Sequence, residues 1–241
     1  MKSPSVFISI VIPVYNEQHR IRSFLRSIID YLGKKDFSYE IVVVDDGSGD
    51  ETVTIVEAVL NEKLPGTYKI IKLPENLGKG AAVRKGMLAA DGEYVFFLDA
   101  DGSTAIEEID RFIPHFTSGV AIYIARRTLK QEAPFKRKFF GYGYILLANF
   151  LLKLNVSDIT CGFKCYTHGC IQTIFSRQRL NNWSFDAENI FTARKHNYQM
   201  KEITVTWMHT PGSKVKVFKN VVTCGLDLLR IRLHDLRGRY S

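Results

Sequence analysis

Asp99-Ala100-Asp101 sets two carboxylates two residues apart, directly after the apolar run Tyr94–Leu98. At the end of a strand, such a pair can hold one hard divalent cation whose remaining ligands are phosphate oxygens. The plainer alternative is a helix-capping aspartate, because Gly102-Ser103-Thr104 leads into a helical pattern. Three more polar clusters follow apolar runs in the same way: Tyr15-Asn16-Glu17, Asp45-Asp46-Gly47-Ser48, and Asn76 to Lys79. Any one of them reads as an ordinary turn. Four at the ends of successive strands point to a shared site, in which Lys79 can reach a phosphate.

The elements that must position these clusters are legible as alternating patterns. Phe7–Val14, Glu40–Asp45, Tyr68–Leu73 and Tyr94–Leu98 are short runs rich in β-branched and aromatic residues, the pattern of strands buried on both faces. Between them, Ile21, Leu25, Ile28 and Leu32 recur at helical spacing within 17–32, with Gly33 as the stop, and helices are predicted over 50–61 and 80–90. Val120–Ala125 is predicted as a fifth strand. This alternation predicts an α/β fold built on a mostly parallel, right-handed βαβ sheet flanked by helices. In such a sheet, ligands bind outside the carboxyl ends of the strands, where the polar clusters fall.

Several function classes are disfavoured. No Gly-x-Gly-x-x-Gly follows the first strand, no P-loop occurs, and no Ser/His/Asp hydrolase pattern is visible. Cys161, Cys165, Cys170 and Cys224 have neither disulfide-scaffold nor zinc-ligand spacing, and the first strand is not preceded by a signal-peptide pattern, so a reducing cytosolic setting is expected. With 46% hydrophobic and 24% charged residues, the composition is that of a globular protein. The charge is divided unevenly. Residues 1–125 hold 13 Lys/Arg against 18 Asp/Glu, a balance of −5, whereas residues 126–241 hold 20 against 7, a balance of +13. A basic half implies a polyanionic partner such as nucleic acid, an anionic membrane or a phosphate group. Phe139–Leu152 is apolar over 14 residues, about 21 Å of helix against a hydrocarbon core of ~30 Å, so it is predicted as a core or interfacial helix and not a span. Val222, Leu226, Leu229, Leu233 and Leu236, interleaved with Arg230, Arg232, Arg237 and Arg239, predict a C-terminal amphipathic basic helix over 218–241, either at a membrane interface or packed on the core. One main domain over 1–217 is expected before it, acidic to 125 and basic from 126.

Ile-Pro-Val-Tyr-Asn-Glu (12–17), Val-Asp-Asp-Gly-Ser (44–48), Asn-Leu-Gly-Lys-Gly (76–80) and Asp-Ala-Asp-Gly (99–102) occur in this order, and together they resemble the family-two inverting glycosyltransferases of the GT-A nucleotide-sugar-binding fold. Farther along, residues 157–164, 183–188 and Gly212-Ser213-Lys214 resemble the polyprenyl-phosphate sugar synthases, dolichyl-phosphate β-glucosyltransferases first and mannose synthases next. The resemblance spans residues 7–236. It implies that Pro13, Tyr15, Glu17 and Asp46 hold the nucleotide's base and ribose, with Lys79 toward the phosphates. It further implies that Asp99 and Asp101 bind Mg²⁺ or Mn²⁺ across the diphosphate. Ser103 stands where mannose synthases carry a third-ligand Gln, which leaves that ligand open. Arg127 (or Arg126), Arg137 and Lys214 align with acceptor-phosphate residues. His209-Thr210-Pro211 replaces an arginine of the mannose branch, as in the glucose branch.

The implied reaction is transfer of glucose from UDP-glucose to a polyprenyl or dolichyl phosphate. Alternatives within the same class are GDP-mannose as donor, or a soluble glycan as acceptor. A lipid phosphate, with a second pKa of about 6, is already largely ionised at pH 7 and needs no strong base. Asp158 and Asp186 either orient the acceptor or pair with neighbouring arginines. The implied partners also include an anionic membrane surface, with the protein peripheral on its cytosolic face. The reading from a different class, a basic module that binds nucleic acid, lacks any nucleic-acid motif.

Overall fold

A continuous apolar run, covered on both faces, makes strand β1 (Val6–Val14) an interior strand of the sheet. From Ile8 onward it is wholly buried. In the computed structural model, which describes residues 6–64, 67–129, 135–208 and 217–241 and leaves out the side chains of 129, 135–140 and 217–222, β1 pairs in parallel with β2 (Tyr39–Asp45) and β4 (Gly92–Leu98). β3 (Tyr68–Lys72) extends the sheet beyond β2. On the other side the order continues β4-β6-β5-β7, with β5 at Val120–Leu129, β6 at Phe163–Thr167 and β7 at Gln199–Trp207. β6 is antiparallel to both neighbours, and the other pairings are parallel, so the sheet is mostly parallel as expected.

The period-two alternation of the strands divides the core in two. Ile8, Ile10, Ile12, Ile41, Val43 and Phe96 face one layer, with helices α1 (Ile21–Leu32) and α2 (Thr52–Lys63). Val11, Val42, Val44, Val95 and Phe97 face the other, with α3 (Lys79–Ala89), α5 (His168–Arg177) and α6 (Phe185–Lys195). Each fully buried aliphatic or aromatic side chain there contributes roughly 1.5–3 kcal/mol, which fixes the strand ends that carry the polar clusters.

α1 begins at Ile21, four residues after the start predicted from periodicity. Glu17 to Arg20 instead form a turn closed by a bidentate ion pair between their side chains, at 2.8 Å for both bonds. The apolar stretch after residue 135 is helix α4 (Phe135–Leu152), and it packs against α7 (Val217–Leu236). The segment from 218 is therefore not detached. Leu228, Ile231 and Tyr240 enter the main core, Arg232 Nε donates to the Leu151 carbonyl at 2.7 Å, and the Tyr240 hydroxyl donates to buried Glu188 at 2.6 Å. Among the described residues, no helix is long and apolar enough to cross a membrane.

Candidate active site

Val14 pairs with Asp45 across β1 and β2, and Val11 pairs with Phe97 across β1 and β4, so the residues that follow these strands share one edge. Asn16, at φ +54, turns the chain away from β1. Its amide donates to Ser48 Oγ at 2.9 Å and its side chain accepts from the Gly49 amide at 2.9 Å. These bonds stitch the two loops together and leave Tyr15 41% exposed at the rim. Pro13 is buried inside β1, and the Glu17 carboxylate is held by Arg20.

The two aspartates after β2 have separate tasks. Asp46 is buried, and its carboxylate accepts the amides of Leu77 (2.9 Å) and Gly78 (3.0 Å). It therefore clamps the 76–80 loop, with both carboxylate oxygens engaged by backbone amides. Burial raises its pKa against the lowering effect of those two amides. Asp45 is the neighbour with capacity to spare. It is buried, Oδ2 accepts the Ser48 amide at 3.1 Å, and Oδ1 has no hydrogen-bond partner. A buried carboxylate oxygen without a protein donor is costly, and this one lies at the edge where ligands bind in such sheets.

The clamped loop delivers Lys79. Gly78 sits at φ +102, where a side chain would also collide with the Asn181 backbone. Gly80 N donates to Asn181 O at 2.7 Å, so the start of α3 is fixed in place. The Lys79 ammonium lies 2.5 Å from Asp99 Oδ1 and above the rings of Trp183 (4.8 Å) and Phe97 (5.8 Å). Its pKa is raised: burial works against the charge, but Asp99, Asp186 and Asp101 outweigh it.

Asp99 is positioned from behind. Its amide donates to the Gly162 carbonyl at 3.0 Å, and the absent side chain of Gly162 is the space its carboxylate occupies. Asp101 Oδ1 accepts the Ser103 amide at 2.9 Å, a bond within the turn and not a helix cap, because the next helical turn starts only at Ile106 with Ala105 before it. Among the described residues, no group of three or more His, Cys, Asp or Glu is poised for a metal. The chain's own donors are two hard carboxylates at the sheet edge, of which Asp99 is already paired with a cation, the Lys79 ammonium. That donor set fits Mg²⁺ or Mn²⁺, with ligand oxygens and water completing the shell.

Neither Asp158 nor Asp186 is free. Arg127 closes its guanidinium on Asp158 (Nε–Oδ2 2.7 Å, Nη2–Oδ1 2.8 Å) and donates to Thr160 at 2.8 Å. The resemblance places Arg127 directly on an acceptor phosphate, but the structure pairs it with Asp158 first. Arg126, on the opposite face of β5, donates to Thr204 Oγ1 at 3.0 Å. Asp186 is paired with a lysine, not an arginine: wholly buried Lys164 reaches it at 2.7 Å and the Cys161 carbonyl at 2.6 Å. Burial raises the Asp186 pKa, with Lys164 and Lys79 opposing. Burial also pushes the Cys161 thiol up to about 12, which removes it as a nucleophile at neutral pH.

Arg137 lies in the first turn of α4, where side chains are outside the described set, and Lys214 lies outside the described residues. Sequence reasoning assigned no role to Lys164, Gly162 or Asp45. The available signals were a lysine inside an apolar strand pattern, a glycine in a segment that ends opposite Asp99, and the doubled aspartate.

The model for glycosyl transferase family 2 matches residues 9–175. The dolichyl-phosphate β-glucosyltransferase of Dictyostelium discoideum is 32% identical over 249 residues, covering 97% of this chain and 76% of that protein. The human protein of that name is 32% identical with 99% and 78% coverage, and the Saccharomyces cerevisiae one is 33% identical with 98% and 77%. Among solved structures, glucosyl-3-phosphoglycerate synthase from Mycobacterium tuberculosis, in complex with Mn²⁺, UDP and phosphoglyceric acid, superposes with a TM-score of 0.70. It is 17% identical and covers 98% of this chain and 79% of that one, a likeness of fold.

Proposed function

The chain belongs to glycosyl transferase family 2, and from that premise we propose that it transfers glucose from UDP-glucose to a polyprenyl phosphate of the dolichyl type, with inversion at the sugar carbon. The observation that carries this reading is one edge of a GT-A sheet that gathers a donor-less carboxylate (Asp45), a caged ammonium (Lys79) and two cation-binding carboxylates (Asp99 and Asp101). The sequence kinship to dolichyl-phosphate glucosyltransferases over nearly the whole chain supports the choice of sugar and acceptor.

Each group has a task in that reaction. The Asp45 Oδ1 acceptor receives an N–H of the base, while Tyr15 at the rim covers the nucleotide. Asp46 acts indirectly, by holding the loop that presents Lys79. Asp99 and Asp101 would hold a divalent cation, which would supply charge stabilisation for the departing diphosphate worth several kcal/mol. Lys79 and Arg127 surround the reacting centre with positive charge, and Arg127 does so from its ion pair with Asp158. Arg137 and Lys214 are proposed to grip the acceptor phosphate. Orientation carries the remaining barrier reduction, because the phosphate nucleophile is already ionised.

The acceptor's lipid tail requires a surface. Tyr142, Leu146 and Phe150 form an exposed stripe along α4, and Leu226, Leu229, Leu233 and Leu236 form another along α7, which packs against it. Exposed Arg230, Arg237 and Arg239 lie on or just beyond α7. Apolar insertion with adjacent cations is the two-part attachment expected of a peripheral protein at an anionic cytosolic leaflet.

A donor competition tests the reading. Membranes containing polyprenyl phosphate are incubated with the protein and either labelled UDP-glucose or labelled GDP-mannose. Organic-extractable label from UDP-glucose alone is expected. Label from GDP-mannose, or label appearing only in water-soluble glycan, overturns the assignment.

A further inference from the structure

The Lys79 ammonium sits directly against Asp99, one of the two carboxylates to which a divalent cation is assigned above. It lies 2.5 Å from Asp99 Oδ1, its side chain is only 13% exposed, and Asp101 and Asp186 add their fields at the same point. Five charged groups surround this spot: Asp99, Asp101 and Asp186 against Lys79 and Lys164, with a sum of −1. Arg127 and Asp158 cancel as a pair. A divalent cation entering alone would bring the sum to +1, with an ammonium against one of its ligands. Arriving with a nucleotide sugar, whose diphosphate carries two negative charges, it restores −1, and a free nucleoside diphosphate makes the balance more negative still.

We propose that Lys79 is a resident counter-ion that makes the cation site conditional: it neutralises Asp99 in the empty protein and leaves for the diphosphate when metal and nucleotide arrive together. This inference rests on the reading of Asp99 and Asp101 as cation ligands. The chain is built for such an exchange. The backbone of Lys79 is anchored by the Asp46 clamp and by the Gly80–Asn181 bond, so the Cα stays in place while the four-carbon stem swings. Trp183, Phe97 and Phe185 line the ammonium at 4.8, 5.8 and 5.9 Å, and their faces hold a cation that has no fixed carboxylate partner. The second nearby carboxylate, Asp186, is already taken by Lys164, so the diphosphate is the better destination. By linkage, the factor by which nucleotide tightens metal binding equals the factor by which metal tightens nucleotide binding.

Mn²⁺ binding, read by electron paramagnetic resonance and calorimetry on purified protein, tests the proposal without turnover. Wild type should bind Mn²⁺ alone weakly, and saturating UDP should tighten it by at least about tenfold, within the usual range of coupling between sites. Lys79→Met should bind Mn²⁺ alone at least about tenfold tighter than wild type and show a smaller gain from UDP, while Lys79→Arg, which keeps the charge, should behave as wild type. Thermal melting checks that the variants are folded. Unchanged metal-only affinity in Lys79→Met overturns the counter-ion. Equal Mn²⁺ affinity of wild type with and without UDP overturns it independently of any variant. Mn²⁺ binding in the presence of UDP that Asp101→Asn leaves unaltered would refute the underlying ligand assignment instead.

Discussion

Gly162→Ala separates the site's geometry from the stability of the fold. An added methyl would fall within contact of Cγ, Oδ1 and Oδ2 of Asp99 at once, inside the usual heavy-atom separation by more than about 1 Å. The backbone cannot retreat, because the Gly162 carbonyl accepts the Asp99 amide at 3.0 Å at the end of β4. Gly162 is not among the positive-φ glycines, so alanine carries no backbone strain there. The Asp99 side chain must therefore rotate away, giving up its contact with Lys79 and the place proposed for it as a cation ligand. Ligand positions tolerate about 0.2 Å, and a misplacement of about 1 Å costs on the order of 10²-fold in rate. The fold loses one partly exposed ion pair, about 1 kcal/mol or less, or roughly 2–4 °C in Tm for a chain of this size. The assay is glucosyl transfer alongside thermal unfolding. A rate down at least about 10²-fold with Tm nearly unchanged is the expected pair of results. Transfer within about threefold of wild type would refute the geometric argument, and a collapse of Tm would show Gly162 to be a packing residue.

Asp101→Asn should lower transfer by about 10²-fold or more without unfolding the protein, and EDTA should do the same to wild type, reversibly on adding Mg²⁺. Arg127→Ala should leave the buried Asp158 carboxylate without its counter-ion, the backbone amide of residue 127 still donating to it, at a cost of about 3 kcal/mol in chemical denaturation. The Arg127→Ala/Asp158→Ala double variant should cost less than the two single changes together. Phe150→Ser with Leu236→Ser, at residues 80% and 83% exposed, should reduce flotation with anionic vesicles while leaving Tm within a few degrees. Asp110 has its pKa lowered, burial working against this while the hydrogen bond from Lys35 prevails, so its stabilisation is present above the ordinary carboxylate range and is lost as pH falls through the lowered value. Asp110→Asn should therefore cost a few tenths of a kcal/mol at pH 7 and nothing in acid below that range, as read by unfolding across pH.

What could be read from the chain, and what could not, follows from range. β1, β2 and β4 are nearly unbroken apolar runs because both faces of the sheet are covered, and the polar clusters directly after them lie at one edge as parallel pairing demands. The doubled aspartate was visible, but its division of labour was not. Asp46 turns to amides 31 and 32 residues away, and nothing local distinguishes it from Asp45. β6 was hidden by Lys164, a charge inside a five-residue strand that is tolerable only because Asp186 neutralises it. α6 shows no periodic stripe, since all of its residues from Phe185 to Ala193 are buried, Asp186 and Glu188 included. β7 at the sheet's end alternates only in its second half. Sequence left the C-terminal leucine helix either at a membrane interface or packed on the core. Leu226, Leu229, Leu233 and Leu236 are exposed, and the residues that anchor α7, Leu228 and Ile231, lie off that stripe, so leucine spacing alone could not show its packing on α4.

The central claim is tested most directly by purified protein given labelled UDP-glucose, dolichyl phosphate and Mg²⁺. The account predicts an organic-extractable, acid-labile glucolipid with the β configuration, inverted from the α-linked donor, whose formation stops in EDTA and when dolichol replaces dolichyl phosphate. Label that stays in the aqueous phase, or lipid-linked product that forms undiminished in EDTA, would contradict it.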